Sequence, residues 1–182
     1  MLEPITAIDH IATARLDLLS WRTHHATALH QLLDENFEFL RPWIPFVGPH
    51  RKSLTDIGRL LERYHAQRSA GQAARYGLFP RGVAVPLGEV LVFNRGDRVE
   101  CGYWLAKSST GLGYAFEATT ALVGEVFGRT SVGAIHLVCE AENQASNQLA
   151  KRLGAVVTER AHGPSVRDGS EVVIVTWTLL GP

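Results

Sequence analysis

The sequence predicts an α/β fold, in which a mixed and mostly antiparallel sheet of about seven strands is flanked by about four helices. Three observations predict it: helical segments near the N-terminus, a run of strand segments separated by turn residues, and a second half in which strands and helices alternate. Because these elements suit one packed sheet and no linker or repeat interrupts them, we expect a single domain over residues 1–182.

The first third of the chain reads as one strand and two helices. Alternating apolar residues predict a strand over Ile11–Leu19, and helical spacing of apolar residues predicts a helix over Trp21–Leu40, ended by the prolines that follow. Ser53 and Asp56 have the spacing of a capping box, so a second helix is expected over 53–71.

Strands dominate the middle of the chain. We expect strands over Ala74–Phe79, Val83–Phe93 and Arg98–Leu105, with a hairpin turn at Asn94–Asp97 because Asn and Gly tolerate positive φ. The second half then alternates, with a helix over 114–128, a strand over Ala134–Glu140, a helix over Asn143–Leu153, and strands over Ala155–Arg160 and Val172–Leu179.

Composition narrows the classes of function. Lys and Arg (18) balance Asp and Glu (18), so no overall charge favours nucleic acid or an anionic membrane as partner. No apolar stretch has membrane-spanning length, and charges near the N-terminus argue against a signal peptide. Two separated cysteines and scattered histidines do not form a metal-binding pattern, so no metal is expected. We therefore expect a soluble, cytoplasmic protein.

The most informative segment is a strand that runs through a glycine turn into a helix. Gly111 and Gly113 allow a tight turn, and a helix from about Tyr114 presents unpaired backbone N–H groups. Such amides, with the positive end of the helix dipole, can hold a pyrophosphate without a lysine or a metal.

Three motifs together resemble the GNAT acetyltransferases, and specifically their RimJ/RimL-type branch, which contains enzymes that acetylate the N-terminal amines of ribosomal proteins. The motifs are Gly102-Tyr103-Trp104-Leu105, the Gly-Leu-Gly-Tyr-Ala turn that begins at Gly111, and Asn143-Gln144-Ala145-Ser146-Asn147. The resemblance implies an enzyme that transfers an acyl group from acetyl-CoA, or another acyl-CoA, directly to a primary amine. It implies no metal and no covalent enzyme intermediate.

The resemblance also implies where the co-substrate lies. The backbone near Trp104 and Leu105 is expected to bind the pantetheine arm and to polarise the thioester carbonyl, as a preorganised dipole can. The pyrophosphate is expected on the amides of Gly111, Leu112, Gly113, Tyr114 and Ala115.

Two positions depart from the common family pattern. Thr110 stands where a Gln or Arg is usual, which removes a long side chain from the phosphate site. Ala150 stands where many members have the Tyr that protonates the leaving thiolate. In the RimL-like enzymes Ser146 matches the proposed acid instead, and Asn143 is expected beside it at the cofactor. The alternative is that Asn143 and Ser146 only cap their helix.

The resemblance implies that Glu100 is the general base, because it sits at the matching position of the RimL-like pattern, just before Gly-Tyr-Trp-Leu. A carboxylate there can accept a proton from the attacking ammonium, directly or through water. Alternation places Glu100 and Trp104 on one face of the strand and Tyr103 on the other. The alternative is an exposed glutamate beside the turn between Arg95 and Arg98, paired with an arginine.

The acceptor remains open at this stage. A protein N-terminal amine is the first expectation and a small amine or an aminoglycoside-type antibiotic the second, with Trp43 and Phe46 as candidate walls of the acceptor cleft.

A different class of function, a non-catalytic acyl-CoA-binding or interaction module, is the main alternative to an enzyme. A dinucleotide oxidoreductase is disfavoured because Phe116 occupies the third-glycine position of its motif. Edge strands near the end of the chain leave a homodimer open.

Overall fold

The computed structural model describes residues 2–182, which form one eight-stranded sheet in the order β1-β2-β3-β4-β5-β6-β8-β7. Every neighbouring pair is antiparallel except β5 and β6, which are parallel. The strands are β1 (His10–Ala12), β2 (Leu16–Ser20), β3 (Ala73–Pro80), β4 (Gly88–Asn94), β5 (Val99–Leu105), β6 (Ala134–Glu140), β7 (Val156–Pro164) and β8 (Glu171–Leu180). The helices are α1 (Glu3–Thr6), α2 (Ala26–Glu35), α3 (Phe37–Leu40), α4 (Leu54–Ser69), α5 (Tyr114–Arg129) and α6 (Gln144–Arg152).

The predicted fold class is confirmed, with one more strand and two more helices than expected. The segment expected as one strand over Ile11–Leu19 is a hairpin of β1 and β2. Its turn is closed by Thr13, whose hydroxyl accepts from the Leu16 N–H at 2.9 Å and whose backbone N–H donates to the Leu16 carbonyl at 2.9 Å. A threonine side chain that bonds nearby backbone competes with a continuous strand.

The helix expected over Trp21–Leu40 is interrupted at Asn36. The Asn36 side chain donates to the Leu32 carbonyl at 2.9 Å and accepts from the Lys107 N–H at 2.8 Å. This tertiary contact ties the junction of α2 and α3 to the segment after β5. The sequence gives no sign of it, because the partner lies 71 residues away.

The strand expected from Val83 begins only at Gly88. Val83 and Val85 are exposed, and Pro86 supplies no N–H for a sheet ladder. By contrast, α4 begins as predicted: Ser53 Oγ accepts from the Asp56 N–H, and the Asp56 carboxylate accepts from the Ser53 N–H.

Two apolar clusters cover the two faces of the sheet. One lies between the sheet and α5 and includes Cys101, Leu105 and Leu137, and the other lies under α2 and α4 and includes Trp104. The side chains of β5 therefore alternate between the two clusters, as the sequence predicted. Both cysteines are free thiols.

Candidate functional site

The sheet opens into a fork between its two parallel strands. β5 and β6 pair only at Val99 with Ile135 and at Glu100 with His136, whereas β5 stays paired with β4 as far as Leu105. Within residues 2–182, the edge of β5 that faces β6 is therefore unpaired over residues 101–105. Backbone groups on this edge are free to bond a ligand that lies in the fork.

A close approach of β4 sets the position of the open end of β5. A Cβ added at Gly88 would lie 2.1 Å from the Trp104 carbonyl oxygen and 2.8 Å from the Leu105 Cα. Only glycine permits this spacing. The sequence-predicted residues Trp104 and Leu105 thus lie at the open end of the fork, backed by glycine on the neighbouring strand.

The glycine turn follows directly and has the geometry of an anion cradle. Gly111 and Gly113 have φ of 75° and 83°, and Gly113 caps α5. The Glu117 N–H bonds the Gly113 carbonyl at 3.1 Å as the first intrahelical bond, so the preceding N–H groups of α5 have no helix partner. Leu112 and Gly111 are exposed, while Tyr114 and Ala115 are half-buried. All five predicted pyrophosphate residues therefore lie in one exposed turn and helix start.

Arginines flank this turn on two sides. The guanidinium carbon of Arg15 lies 4.5 Å from the ring centroid of Tyr114, and that of Arg152 lies 4.1 Å from the ring centroid of Phe116. Thr110, in contrast, donates its hydroxyl to the Lys107 carbonyl at 2.8 Å, so its side chain is committed to the loop itself.

Ser146 lies on the α5 side of the fork. Its hydroxyl is 3.3 Å from the hydroxyl of Tyr103 on β5. Burial raises the pKa of the Tyr103 phenol, so this hydroxyl stays protonated at neutral pH and can donate. Ala150 is fully buried in the apolar cluster one turn further along α6.

Asn143 acts as the N-cap of α6, since its Oδ1 accepts from the Ser146 N–H at 3.1 Å. This contact is the structural role that the sequence left open, and a cofactor role for Asn143 stays a prediction. Asn147 fastens the same turn, donating to the Asn143 carbonyl at 2.8 Å and accepting from Trp177 Nε1 at 2.8 Å. Together these bonds fix the position of Ser146.

Glu100 lies at the closed end of the fork, on the face opposite Tyr103. Its carboxylate accepts from Arg95 Nε at 2.8 Å and from Arg98 Nε at 2.9 Å, and 14% of its side chain is exposed. The structure therefore contains the arginine pairing that the sequence offered as the alternative.

The face that carries Glu100 also carries the aromatic groups of the expected acceptor cleft. The Phe46 and Trp104 rings are 6.1 Å apart, and the Arg167 guanidinium lies 5.3 Å from the Trp43 ring centroid. Arg167 Nη2 also donates to the buried carboxylate of Glu140, at the end of β6, at 3.0 Å. The loop between β7 and β8 is thereby fastened to the segment that contains Trp43.

Sequence reasoning missed three groups at this site. Tyr103 stood in a recognised motif without a role, although alternation placed it on the correct face. Arg15 contacts Leu112, which is 97 residues away in the sequence, and Arg167 contacts Glu140, which is 27 residues away. No local sequence pattern could have found either contact.

The described part of the chain holds no group of three or more His, Cys, Asp or Glu side chains that could bind a metal ion. It also holds no helix with the length and apolar character needed to cross a membrane.

A forked sheet with a glycine-capped helix start at its open end offers an extended, phosphate-bearing ligand a place between two strands. The family of acetyltransferase (GNAT) domains matches residues 15–156, and the chain belongs to that family. It is thus an acyl-CoA-dependent N-acetyltransferase. A comparison with curated proteins gives no match.

Solved structures share the fold at low identity. The acetyltransferase from Salmonella typhimurium that modifies the N-terminal serine of ribosomal protein L7/L12 has a TM-score of 0.83 and 20% identity, over 95% of this chain and 99% of that one. Mycobacterium smegmatis RimJ in complex with CoA-disulfide has a TM-score of 0.86 and 19% identity, over 96% and 88% of the two chains. The microcin C7 self-immunity acetyltransferase MccE, in complex with acetyl-CoA and AMP, has a TM-score of 0.83 and 16% identity, over 92% and 93%.

Proposed function

We propose that this acetyltransferase transfers the acetyl group of acetyl-CoA directly to a primary amine, with the N-terminal amine of a protein as the preferred acceptor. The observation that carries the proposal is the fork, whose unpaired β5 edge leads into the glycine-capped start of α5. When bound, acetyl-CoA supplies an acyl group that is activated as a thioester.

The residues of the fork suit such a donor. The free backbone edge over 101–105 can bond the amides of a pantetheine arm, and the turn at Gly111–Gly113 leaves room for a pyrophosphate because a Cβ at Gly111 would contact nothing within 4 Å. The N–H groups at the start of α5 provide donors of the kind that bind phosphate. We therefore assign Trp104, Leu105 and the turn 111–115 to the donor.

We assign the proton transfers to opposite faces of β5. Ser146, supported by the Tyr103 hydroxyl at 3.3 Å, is proposed to protonate the leaving thiolate. Glu100 is proposed to accept the ammonium proton through water on the acceptor face, with Arg95 and Arg98 holding it in place. An acceptor that enters from one face while the thiolate leaves towards the other suits direct attack in the fork.

The charge beside α4 gives no support to a polycationic antibiotic as acceptor. An open groove of about 740 Å³ runs along α4 and the segment before it, and it carries more basic than acidic side chains. A cation-binding cleft would need the opposite balance. The groove is lined by Arg51, Lys52, Arg59 and Arg63, with His50, against Asp56 and Glu62.

Both kinds of acceptor are represented among the structural neighbours, since one modifies a protein N-terminal serine and another is a microcin C7 self-immunity acetyltransferase. We further propose a cytoplasmic location, because both cysteines are free thiols and the donor is an acyl-CoA. A homodimer through the exposed edge strand β7 remains a proposal, which light scattering on the purified protein would decide.

The test measures thiol release from acetyl-CoA with a panel of peptides that differ in their N-terminal residue, together with polyamines and aminoglycosides. We expect peptide-dependent release, and a loss of at least about tenfold in kcat/KM for Ser146→Ala and Glu100→Gln, about 1.4 kcal/mol of transition-state stabilisation each. Gln144→Ala, an exposed neighbour on α6, is the matched control for Ser146.

The results of this test distinguish the role of Glu100, the kind of acceptor, and an enzyme from a non-catalytic binding module. A drop in melting temperature for Glu100→Gln with unchanged kcat/KM would make Glu100 a structural partner of the two arginines. Release with polyamines or aminoglycosides but with no peptide would overturn the protein acceptor. Binding of CoA without release on any amine would favour a non-catalytic module.

A further inference from the structure

Arg15, in the turn between β1 and β2, contacts the glycine turn through three groups. Its Nη1 donates to the Leu112 carbonyl at 2.9 Å, and its Nε donates to a Glu117 carboxylate oxygen at 2.7 Å. Its guanidinium also lies 4.5 Å from the centroid of the Tyr114 ring. The side chain is therefore held at the start of α5 by residues on both sides of Gly113.

These contacts neutralise two electronegative groups beside the glycine turn, the Leu112 carbonyl and the Glu117 carboxylate. The Leu112 carbonyl and the Glu117 carboxylate would both repel a phosphate. Partial burial by itself raises the pKa of Glu117, but hydrogen bonds from Thr13 and Arg15 together lower it below the usual 4.5, so the carboxylate is ionised at neutral pH. A cation paired with both groups is needed for the turn to favour an anion.

Arg15 also has a donor to spare. Within residues 2–182, its Nη2 forms no hydrogen bond, and it lies 3.4 Å from the place where a Cβ on Gly113 would stand. The side chain is 47% exposed, so a ligand can reach this nitrogen. Guanidinium donors suit phosphate oxygens in both charge and geometry.

Thr110 does not provide a long side chain that could reach the phosphates, so another residue would have to do so. Its position in the family pattern usually holds a Gln or Arg, but here the side chain is short and its hydroxyl is bonded to the Lys107 carbonyl at 2.8 Å. We propose, on the basis of the acyl-CoA site proposed above, that Arg15 supplies the side-chain contact to the pyrophosphate of the acyl donor that Thr110 cannot make.

The test compares donors with and without phosphates. Binding of CoA is measured by calorimetry, and kcat/KM is measured with acetyl-CoA and with S-acetylpantetheine, which lacks the pyrophosphate. For Arg15→Gln we expect CoA binding and kcat/KM for acetyl-CoA to fall about tenfold, since hydrogen bonds to charged groups reach this size. The values with S-acetylpantetheine should not change.

Two further variants separate binding from folding. Arg129→Gln removes an arginine that is paired with Glu125 at the other end of α5. This variant should change neither the binding of CoA nor kcat/KM with either acyl donor. Glu117→Gln replaces one of the two carboxylate oxygens that accept from Arg15 and Thr13 by an NH2 group, so Arg15 loses part of its anchor. CoA should then bind more weakly, while kcat/KM with S-acetylpantetheine should not change. Equal losses with acetyl-CoA and S-acetylpantetheine in Glu117→Gln would mean that the ion pair acts only by holding α5, and they would overturn the proposal.

The remaining outcomes are equally distinct. Equal losses with both donors in Arg15→Gln, or no loss with either, would overturn the role of Arg15 while leaving acetyl transfer intact. Binding of CoA that depends on Arg15, without turnover on any amine, would overturn the proposed function and retain this inference. No binding of CoA by the unmodified protein would overturn both.

Discussion

At the scale of single residues, the Tyr103–Ser146 contact is the sharpest test of the proton-transfer scheme. The two hydroxyl oxygens are 3.3 Å apart, longer than a typical hydroxyl hydrogen bond, so the contact adds little to folding stability. If it aligns the Ser146 hydroxyl instead, Tyr103→Phe should lower kcat by roughly three- to thirtyfold and leave the KM for acetyl-CoA nearly unchanged.

The measurement is a double-mutant cycle of Tyr103→Phe and Ser146→Ala, in which steady-state kinetics give kcat and KM for each variant. Residues that act as a unit give losses that do not add. Additive losses would contradict a shared role. A large fall in melting temperature for Tyr103→Phe would also contradict it, because the phenol would then serve packing rather than alignment.

Residue-scale prediction from sequence succeeded where local pattern carries the information. Gly111 and Gly113 have the left-handed φ that their turn requires, and Ser53 caps α4 through the predicted box. The pairing of Glu100 with an arginine was only the alternative to its predicted catalytic role, and the structure shows two such partners, which flank the adjacent turn. Arg15 was not foreseen, because its contacts join segments about a hundred residues apart and no pattern in the sequence encodes their proximity.

At the scale of elements, the register of β4 against β5 controls the open end of the fork. A Cβ at Gly88 would stand 2.1 Å from the Trp104 carbonyl oxygen, a backbone atom that can move only with its strand. Gly88→Ala should therefore displace residues 104–105, raise the KM for acetyl-CoA severalfold and cost about 1–3 kcal/mol of stability, the usual range for overpacking.

Gly58→Ala is the control, because a Cβ at Gly58 in α4 meets no atom within 4 Å. That variant should be neutral or more stable, since alanine favours helix. Kinetics and urea unfolding of both variants decide the point. An unchanged KM in Gly88→Ala would show that the end of β5 does not position the donor.

The same elements mark where prediction of the fold failed. Asn36 divides a continuous helical pattern because it receives the Lys107 N–H, and Thr13 divides an alternating pattern because its hydroxyl closes a turn. Helices α5 and α6 matched closely, since glycines or a capping residue bound them in the sequence itself. Elements limited by their own residues were predictable, and those interrupted by tertiary contacts were not.

At the scale of the whole molecule, the fork divides the sheet into two blocks, β1–β5 and β6–β8–β7. In the sheet, only the pairs at Val99 and Glu100 join them within the described chain, and α5 packs across both. A ligand that bonds the β5 edge and the start of α5 should therefore couple the blocks. Stability should rise by RT ln(1 + [L]/Kd), about 2.7 kcal/mol at a hundredfold excess over Kd, or about 5–10 °C in melting temperature.

Hydrogen exchange shows whether this stabilisation acts at the fork. With saturating CoA, amides on the free edge of residues 101–105 and at the start of α5 should gain the most protection, because they acquire hydrogen-bond partners that they lack in the free protein. Amides of β7, which lies at the far edge of the sheet, should change little and serve as the internal control. Protection spread evenly over all eight strands would place the ligand outside the fork. Stabilisation without any protection of β5 would contradict the site, because a donor lying between the blocks cannot bind there without covering that edge.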